Sequence, residues 1–222
     1  MFAFLVNAGG ILAGTLAGML LHSHLSKRFI ESVRNALGLV TAILAVSMAV
    51  KADFLPVAAS VLLGTAIGEL AGVDRFVGGI ASFLKKRAKS GDQAFSEGFI
   101  TATMLFCIGP MAIVGSILDG ISGDASVIYA KTVLDGFASV VLSSTLGIGV
   151  AFSALSIVAY QGAMTFAAAS LAPYLTQTAI NLVSATGGVL IVGISLDLLN
   201  VKKVNLANML PSLLVAFLIS MV

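Results

Sequence analysis

Long apolar runs separated by short charged links make up nearly all of this chain. A helix that crosses a bilayer takes about 20 largely apolar residues. Runs that meet this requirement lie at roughly 2–21, 34–50, 54–72, 98–118, 127–146, 150–171, 179–199 and 205–222. The pattern therefore predicts an all-α polytopic membrane protein of about eight transmembrane helices, forming a single transmembrane domain over residues 1–222. The weakest division is at 147–150, Gly-Ile-Gly-Val, where an uncharged turn or a break inside one long element gives eight or seven spans.

The links orient the spans. Lys27, Arg28 and Arg34 fall in the first link, Arg75, Lys85, Lys86, Arg87 and Lys89 in the third, and Lys202 and Lys203 in the seventh. Basic residues in short links favour the cytoplasmic side. With eight spans the odd links share that side, and both termini lie outside a bacterial inner membrane. A seven-span chain would put Lys202 and Lys203 outside. The third link, residues 74–89, carries Phe76, Ile80, Phe83 and Leu84 at helical spacing before a basic end. It predicts an amphipathic helix on the inner surface or a solvated basic loop, ended by Ser90-Gly91-Asp92.

Composition agrees with this class. The 222 residues are 59% hydrophobic and only 10% charged, with a mean hydropathy of +1.09, where a soluble domain carries roughly a quarter charged residues. The net charge of +2 comes from a few short links and implies no nucleic-acid partner. Cys107 is the one cysteine, so no intrachain disulfide forms. His22 and His24 sit at the first link and read as interfacial. No spacing of histidine, cysteine and carboxylate suggests a transition metal, and no cofactor is expected. The first run lacks a basic leader and is too long for a signal-peptide core, so it is expected to stay as the first span.

Gly10, Gly14 and Gly18 on the first span, and Gly64 and Gly68 on the third, repeat at four-residue spacing. Such faces let helices approach closely, either within one subunit or at a homodimer seam. Spans 2 and 7 resemble each other. Each is followed by a lysine-bearing link and then by a span opening on Leu-Pro, Leu55-Pro56 and Leu210-Pro211. Spans 1–3 would then repeat as spans 6–8. An offset of five spans makes the repeat inverted, an arrangement common in secondary transporters. Spans 4 and 5 would form a central hairpin whose first member is broken at Gly109-Pro110.

Ionisable residues inside a span are expensive and mark functional sites by default. Lys131 and Asp135 lie about 6 and 12 Å into the fifth span at 1.5 Å per residue, on one face. They form either a structural ion pair or a cation or proton site with Lys131 balancing the charge. Ser139 continues that face, Tyr160 and Gln161 lie near the centre of span 6, and Gly109, Pro110 and Ser116 belong to span 4. Together these bring polar groups and broken backbone to similar depth, near the midplane. Gln161 and Ser139 would otherwise serve only to join helices. Asp119 and Asp124 in the outer link read as a solvated turn or an acidic vestibule for cations. Glu69 and Asp197, near inner span ends, read as interfacial carboxylates, and Glu69 is also a gate candidate.

The run FCIGPMAIVGSILDG-x-x-GD, followed by K-x-x-x-DG, G-x-GV and YQG, resembles the bacterial membrane proteins catalogued as domain of unknown function 554. The resemblance extends over essentially the whole chain. It implies a multi-spanning inner-membrane protein and draws attention to Cys107, Gly109, Pro110, Ser116, Asp119, Asp124, Lys131, Asp135, Tyr160 and Gln161, without supplying a substrate.

The expected function is ion-coupled secondary transport of a small polar solute or cation, driven by H⁺ or Na⁺. An ion channel or passive pore, and a structural or regulatory membrane protein without transport, are the alternatives. Paired catalytic carboxylates, a nucleophile with its base and a phosphate-binding loop are all missing from the sequence, so an enzyme is not expected.

Overall fold

The computed structural model describes residues 2–22, 26–88 and 94–221. His24 and the Ser90-Gly91-Asp92 stop lie outside the described residues. Those residues form α1 (Ala3–His22), α2 (Lys27–Ala49), α3 (Phe54–Ala71), α4 (Val73–Arg87), α5 (Phe95–Ile108), α6 (Pro110–Ser122), α7 (Ser126–Leu146), α8 (Gly149–Phe166), α9 (Ala168–Leu171), a 3₁₀ turn (Ala172–Tyr174), α10 (Gln177–Leu198), α11 (Leu206–Met209) and α12 (Pro211–Ile219). No strand occurs among them. Prolines fall where a missing N–H costs least. Pro110 and Pro211 open α6 and α12, Pro56 lies in the first turn of α3, and Pro173 sits in the 3₁₀ turn.

Among the described residues six helices are long and apolar enough to cross a membrane: α1, α2, α3, α7, α8 and α10. The α5–α6 pair makes a seventh if it is one bent span. The expected eighth span at 205–222 is shorter than predicted. Pro211 divides it into α11 and α12, and the apolar helical stretch runs only over Leu206–Ile219. At 1.5 Å per residue that is about 21 Å, less than a hydrocarbon core of about 30 Å. The sixth span also ends early, at Phe166 rather than 171, before α9 turns the chain.

The chain divides into two compact units, Met1–Arg34 with Ile80–Pro173, and Asn35–Gly79 with Tyr174–Val222. The first is built on α1 and α7. Gly10, Gly14 and Gly18 meet Thr132, Gly136 and Val140 in that order, so the two helices run parallel. A Cβ at Gly14 would overlap the carbonyl of Gly136, and one at Gly18 the carbonyl of Val140. α8 runs antiparallel to α1, with Phe4 against Gly162 and Asn7 against Gln161, and parallel to α5, with Gly149 against Phe95 and Ser156 against Thr103. α7 and α8 are therefore antiparallel, and 147–150 is a turn between two helices. Gly147 makes that turn at φ 72° and ψ −158°, a conformation open essentially to glycine alone.

In the second unit α3 runs antiparallel to α11–α12, with Gly64 against Ser212 and Gly68 against Asn208. α2 runs antiparallel to α10, with Gly38 against Leu199, Ala45 against Gly188, and Ser195 Oγ donating to the Gly38 carbonyl at 2.8 Å. Both glycine faces are thus filled from within the chain, the first of the two readings of that spacing. Close packing of small residues supplies what the hydrophobic effect cannot supply between helices in lipid.

The third link is helical. α4 exposes Phe76, Ile80 and Phe83 along one side, buries Ala81 and ends in Lys85, Lys86 and Arg87, with the Arg87 guanidinium 5.9 Å from the Phe83 ring centre.

Candidate functional site

α7 carries a column of polar residues one turn apart: Lys131, Asp135, Ser139 and Ser143, all buried. Four-residue spacing keeps them on one face, and that face meets the glycine face of α1. Lys131 Nζ donates to Asp135 Oδ2 and lies 5.7 Å from the centre of the Phe106 ring on α5. The ammonium is thus held between a carboxylate and an aromatic face, two attractions that strengthen where water is excluded.

The pair is joined by a residue that the sequence did not single out. Asn7 on α1 is fully buried. Its Nδ2 donates to Asp135 Oδ2 at 3.1 Å and to Gln161 Oε1 at 3.0 Å. Both amide hydrogens are engaged, and α1, α7 and α8 are tied at one point. Asn7 lies one turn before Gly10, at the start of the glycine face. A polar residue continuing a small-residue face is the signal that would have found it.

Several buried polar atoms around this knot lack a hydrogen-bond partner among the described residues: Asn7 Oδ1, Gln161 Nε2, Ser139 Oγ, Thr165 Oγ1 and Thr15 Oγ1. Thr165 lies one turn beyond Gln161 on α8, and Ser139 one turn beyond Asp135 on α7. Unpartnered buried groups of this kind are costly and uncommon in packed proteins. Three of them, Asn7 Oδ1, Gln161 Nε2 and Ser139 Oγ, belong to the two amides of the knot or lie one turn from Asp135.

The chain breaks close by. α5 stops at Ile108, Gly109 is extended at φ −67° and ψ 147°, and α6 restarts at Pro110, with a bend of 60° between the helices. The break turns free carbonyls of α5 and free N–H groups of α6 away from regular helical pairing. Phe106, the lysine's aromatic neighbour, is in the last turn of α5.

The other candidates are distributed differently. Ser116 is buried, and its hydroxyl bonds back to the Ala112 carbonyl at 2.7 Å, within its own helix. Asp119 is buried near the end of α6, whereas Asp124 is exposed, so the two do not share one surface. Asp124 serves the start of α7, its Oδ1 accepting the Ser126 N–H at 3.0 Å. That bond holds the Asp124 carboxyl below its ordinary value. Tyr160 and Cys107 are half-buried. Glu69 belongs to the second unit. It accepts from Asn208 Nδ2 at 2.6 Å, and Asn208 Oδ1 in turn accepts the Asp74 N–H at the start of α4 at 2.7 Å. Among the described residues no three of histidine, cysteine, aspartate and glutamate come together as a metal site would need.

Apolar spans, a broken helix and a buried ion pair bonded to buried amides define a multi-pass helical membrane protein. The chain belongs to the family described as Protein of unknown function (DUF554), whose model matches residues 2–221. It is 30% identical over 221 residues to "Uncharacterized protein YqgA" of Escherichia coli (strain K12), covering 97% of this chain and 94% of that protein. It is 30% identical over 220 residues to "Uncharacterized membrane protein YdfK" of Bacillus subtilis (strain 168), covering 97% and 93%. No solved structure matches the chain.

Proposed function

We propose that the protein is an ion-coupled secondary transporter of the bacterial inner membrane, moving a small polar solute or cation with Asp135 as its ion-binding residue. The observation that carries this reading is the Lys131–Asp135–Asn7–Gln161 knot, ringed by unpartnered buried polar atoms and adjoining the α5–α6 break. A purely structural ion pair has no use for such atoms, because each one left without a partner lowers stability. The site takes groups from α1, α7 and α8, with Phe106 of α5 beside the lysine.

The reading includes an eight-span topology with both termini outside, α11–α12 acting as a short last span and α4 lying on the inner surface. Helix directions support it. In an alternating eight-span chain, spans 1 and 5 run parallel, as do spans 4 and 6, while spans 1 and 6, 2 and 7, and 3 and 8 run antiparallel. The contacts of α1 with α7, α5 with α8, α1 with α8, α2 with α10 and α3 with α12 follow that pattern within each unit. An inverted repeat of spans 1–3 and 6–8 is supported in the same way. Every pair of repeat mates, α1·α8, α2·α10 and α3·α12, packs together antiparallel, as mates related by a two-fold axis in the membrane plane would.

Purified protein in liposomes, given separate H⁺ and Na⁺ gradients and a panel of small polar solutes, tests the function. The expected result is solute accumulation that one gradient drives and its collapse abolishes. Solute or ion movement that only follows its own gradient would replace the transporter with a pore.

A further inference from the structure

Asp135 presents its two oxygens unequally. Both donors converge on Oδ2, the Lys131 ammonium from the same helix and the Asn7 amide from α1. Oδ1 takes no hydrogen bond from the described residues, although Asp135 is only 7% exposed. The next group along, Gln161, turns its oxygen toward Asn7 and leaves Nε2, another donor, unpartnered.

We infer that the ion bound at Asp135 is a proton rather than a metal cation, and that Lys131 passes its arrival to the α5–α6 break through the Phe106 ring. This rests on the ion-binding reading of Asp135 given above.

The surroundings separate the two ions. A bare sodium ion needs several oxygen ligands and the absence of nearby N–H groups. Here the carboxylate is flanked by an ammonium and an amide NH₂, with a second amide NH₂ behind. A metal cation at Oδ1 would sit within a few ångströms of a fixed positive charge, and no cluster of three histidine, cysteine or carboxylate groups among the described residues is there to hold it. A proton needs one oxygen. The unpartnered acceptor of Asn7 and donor of Gln161 stand on directly bonded residues.

The titratable and charged groups on the elements packed against this stretch of α7 are few. α5 brings Cys107 and, at its start, Glu97. α6 brings Asp119, and α8 brings Tyr160. α1 brings none before His22, and α7 itself adds Tyr129 and Lys131. Lys131 is the cation in contact with Asp135 among the described residues. When Oδ1 takes up a proton, the carboxylate loses its charge and the ammonium loses its anion. The ammonium keeps only a hydrogen bond to a neutral Oδ2, and the Phe106 face, 5.7 Å away in the last turn before the break, becomes its main electrostatic partner. Lys131 is thus a positioning residue that ties the charge of Asp135 to the end of α5.

Infrared difference spectroscopy on the purified protein in lipid nanodiscs reads the site directly. The expected result is a protonated-carboxyl band that titrates with pH, with the same midpoint in sodium and in choline buffer. The band should vanish in Asp135→Asn and shift in frequency in Asp135→Glu, which keeps the acid. Lys131→Met should raise proton affinity about tenfold or more, moving the midpoint up by about one pH unit or more. A midpoint that falls as sodium rises would show competition and overturn the inference. So would the absence of a titrating carboxyl in the wild-type protein, which needs no variant to fold. A titrating band in a protein that moves nothing in liposomes would leave the proton site standing and remove the transport reading. Sodium-driven transport with a sodium-shifted band would do the reverse.

Discussion

Asn7 donates to Asp135 at 3.1 Å across 128 positions of chain, and neither residue has any other feature in the sequence that points to its partner. Because Asn7 also holds Gln161, this contact decides whether α1, α7 and α8 meet in one register. Asn7→Ala should lower the melting temperature, by about 1–3 kcal/mol of stability, since it leaves Gln161 Oε1 buried without its donor. Asn7→Asp should cost more, by facing a second carboxylate toward Asp135. Thermal unfolding in detergent measures both, and wild-type stability in Asn7→Ala would remove the knot from the account.

The glycine face of α1 gives a contrast within one helix. A Cβ at Gly14 or Gly18 would overlap backbone carbonyls of α7, whereas one at Gly9 would meet nothing within 4 Å. Gly14→Ala and Gly18→Ala should therefore lower folded yield and stability severely, and Gly9→Ala should be neutral. Equal tolerance at the three positions, read by size-exclusion profile and melting temperature, would show that α1 does not pack on α7 as described.

Much of this was legible in the chain. Lys131 and Asp135 stood out because charge is rare in an apolar run, and Gly109-Pro110 because proline cannot continue a hydrogen-bonded helix. Their consequences, the ion pair and the 60° break, are local. Asn7 was passed over, although it continues the glycine face of α1. A single amide in a span is cheap enough to pass as helix-joining polarity, and its meaning comes from residues on two distant helices. The roles of Asn208 toward Glu69 and Asp74 were hidden in the same way. The last span was overestimated because hydropathy stays high over 205–222, whereas the helical stretch covers only Leu206–Ile219, with Leu210 before the proline still helical at φ −55° and ψ −40°. The glycine faces had two readings, since close approach within a subunit and between subunits asks for the same residues.

Topology is tested by accessibility. In a Cys107→Ser background, a cysteine at Asp124 should react with a membrane-impermeant thiol reagent added to whole cells, and one at Lys86 only after the membrane is opened. Reaction of both from the same side would contradict the eight-span order.

Asp124 gives a pH-dependent prediction at the membrane surface. Its carboxylate accepts the Ser126 N–H, and its folded-state value is lowered by that bond. A lowered carboxyl contributes stability that is fully present above its unfolded value and is lost as pH falls through the folded one. The first turn of α7 should hold at neutral pH and loosen only in acid, below the ordinary aspartate range. Hydrogen exchange at the Ser126 amide should be slow at neutral pH in the wild type and faster in Asp124→Ala. Exchange that is indifferent to the substitution would show that the bond does not hold the turn.

The most direct test of the central claim is gradient-driven transport in liposomes containing the wild type, Asp135→Asn, or the pair Lys131→Met with Asp135→Leu. Breaking a buried ion pair by one partner costs roughly 3–5 kcal/mol, while replacing both with apolar residues relieves that strain. The account predicts that Asp135→Asn inserts but is uncoupled, and that the double variant regains stability while transport stays dead. If the double variant recovered folding and coupled transport together, or if Asp135→Asn left ion dependence intact, Asp135 would be a structural partner of Lys131 and the account would be wrong.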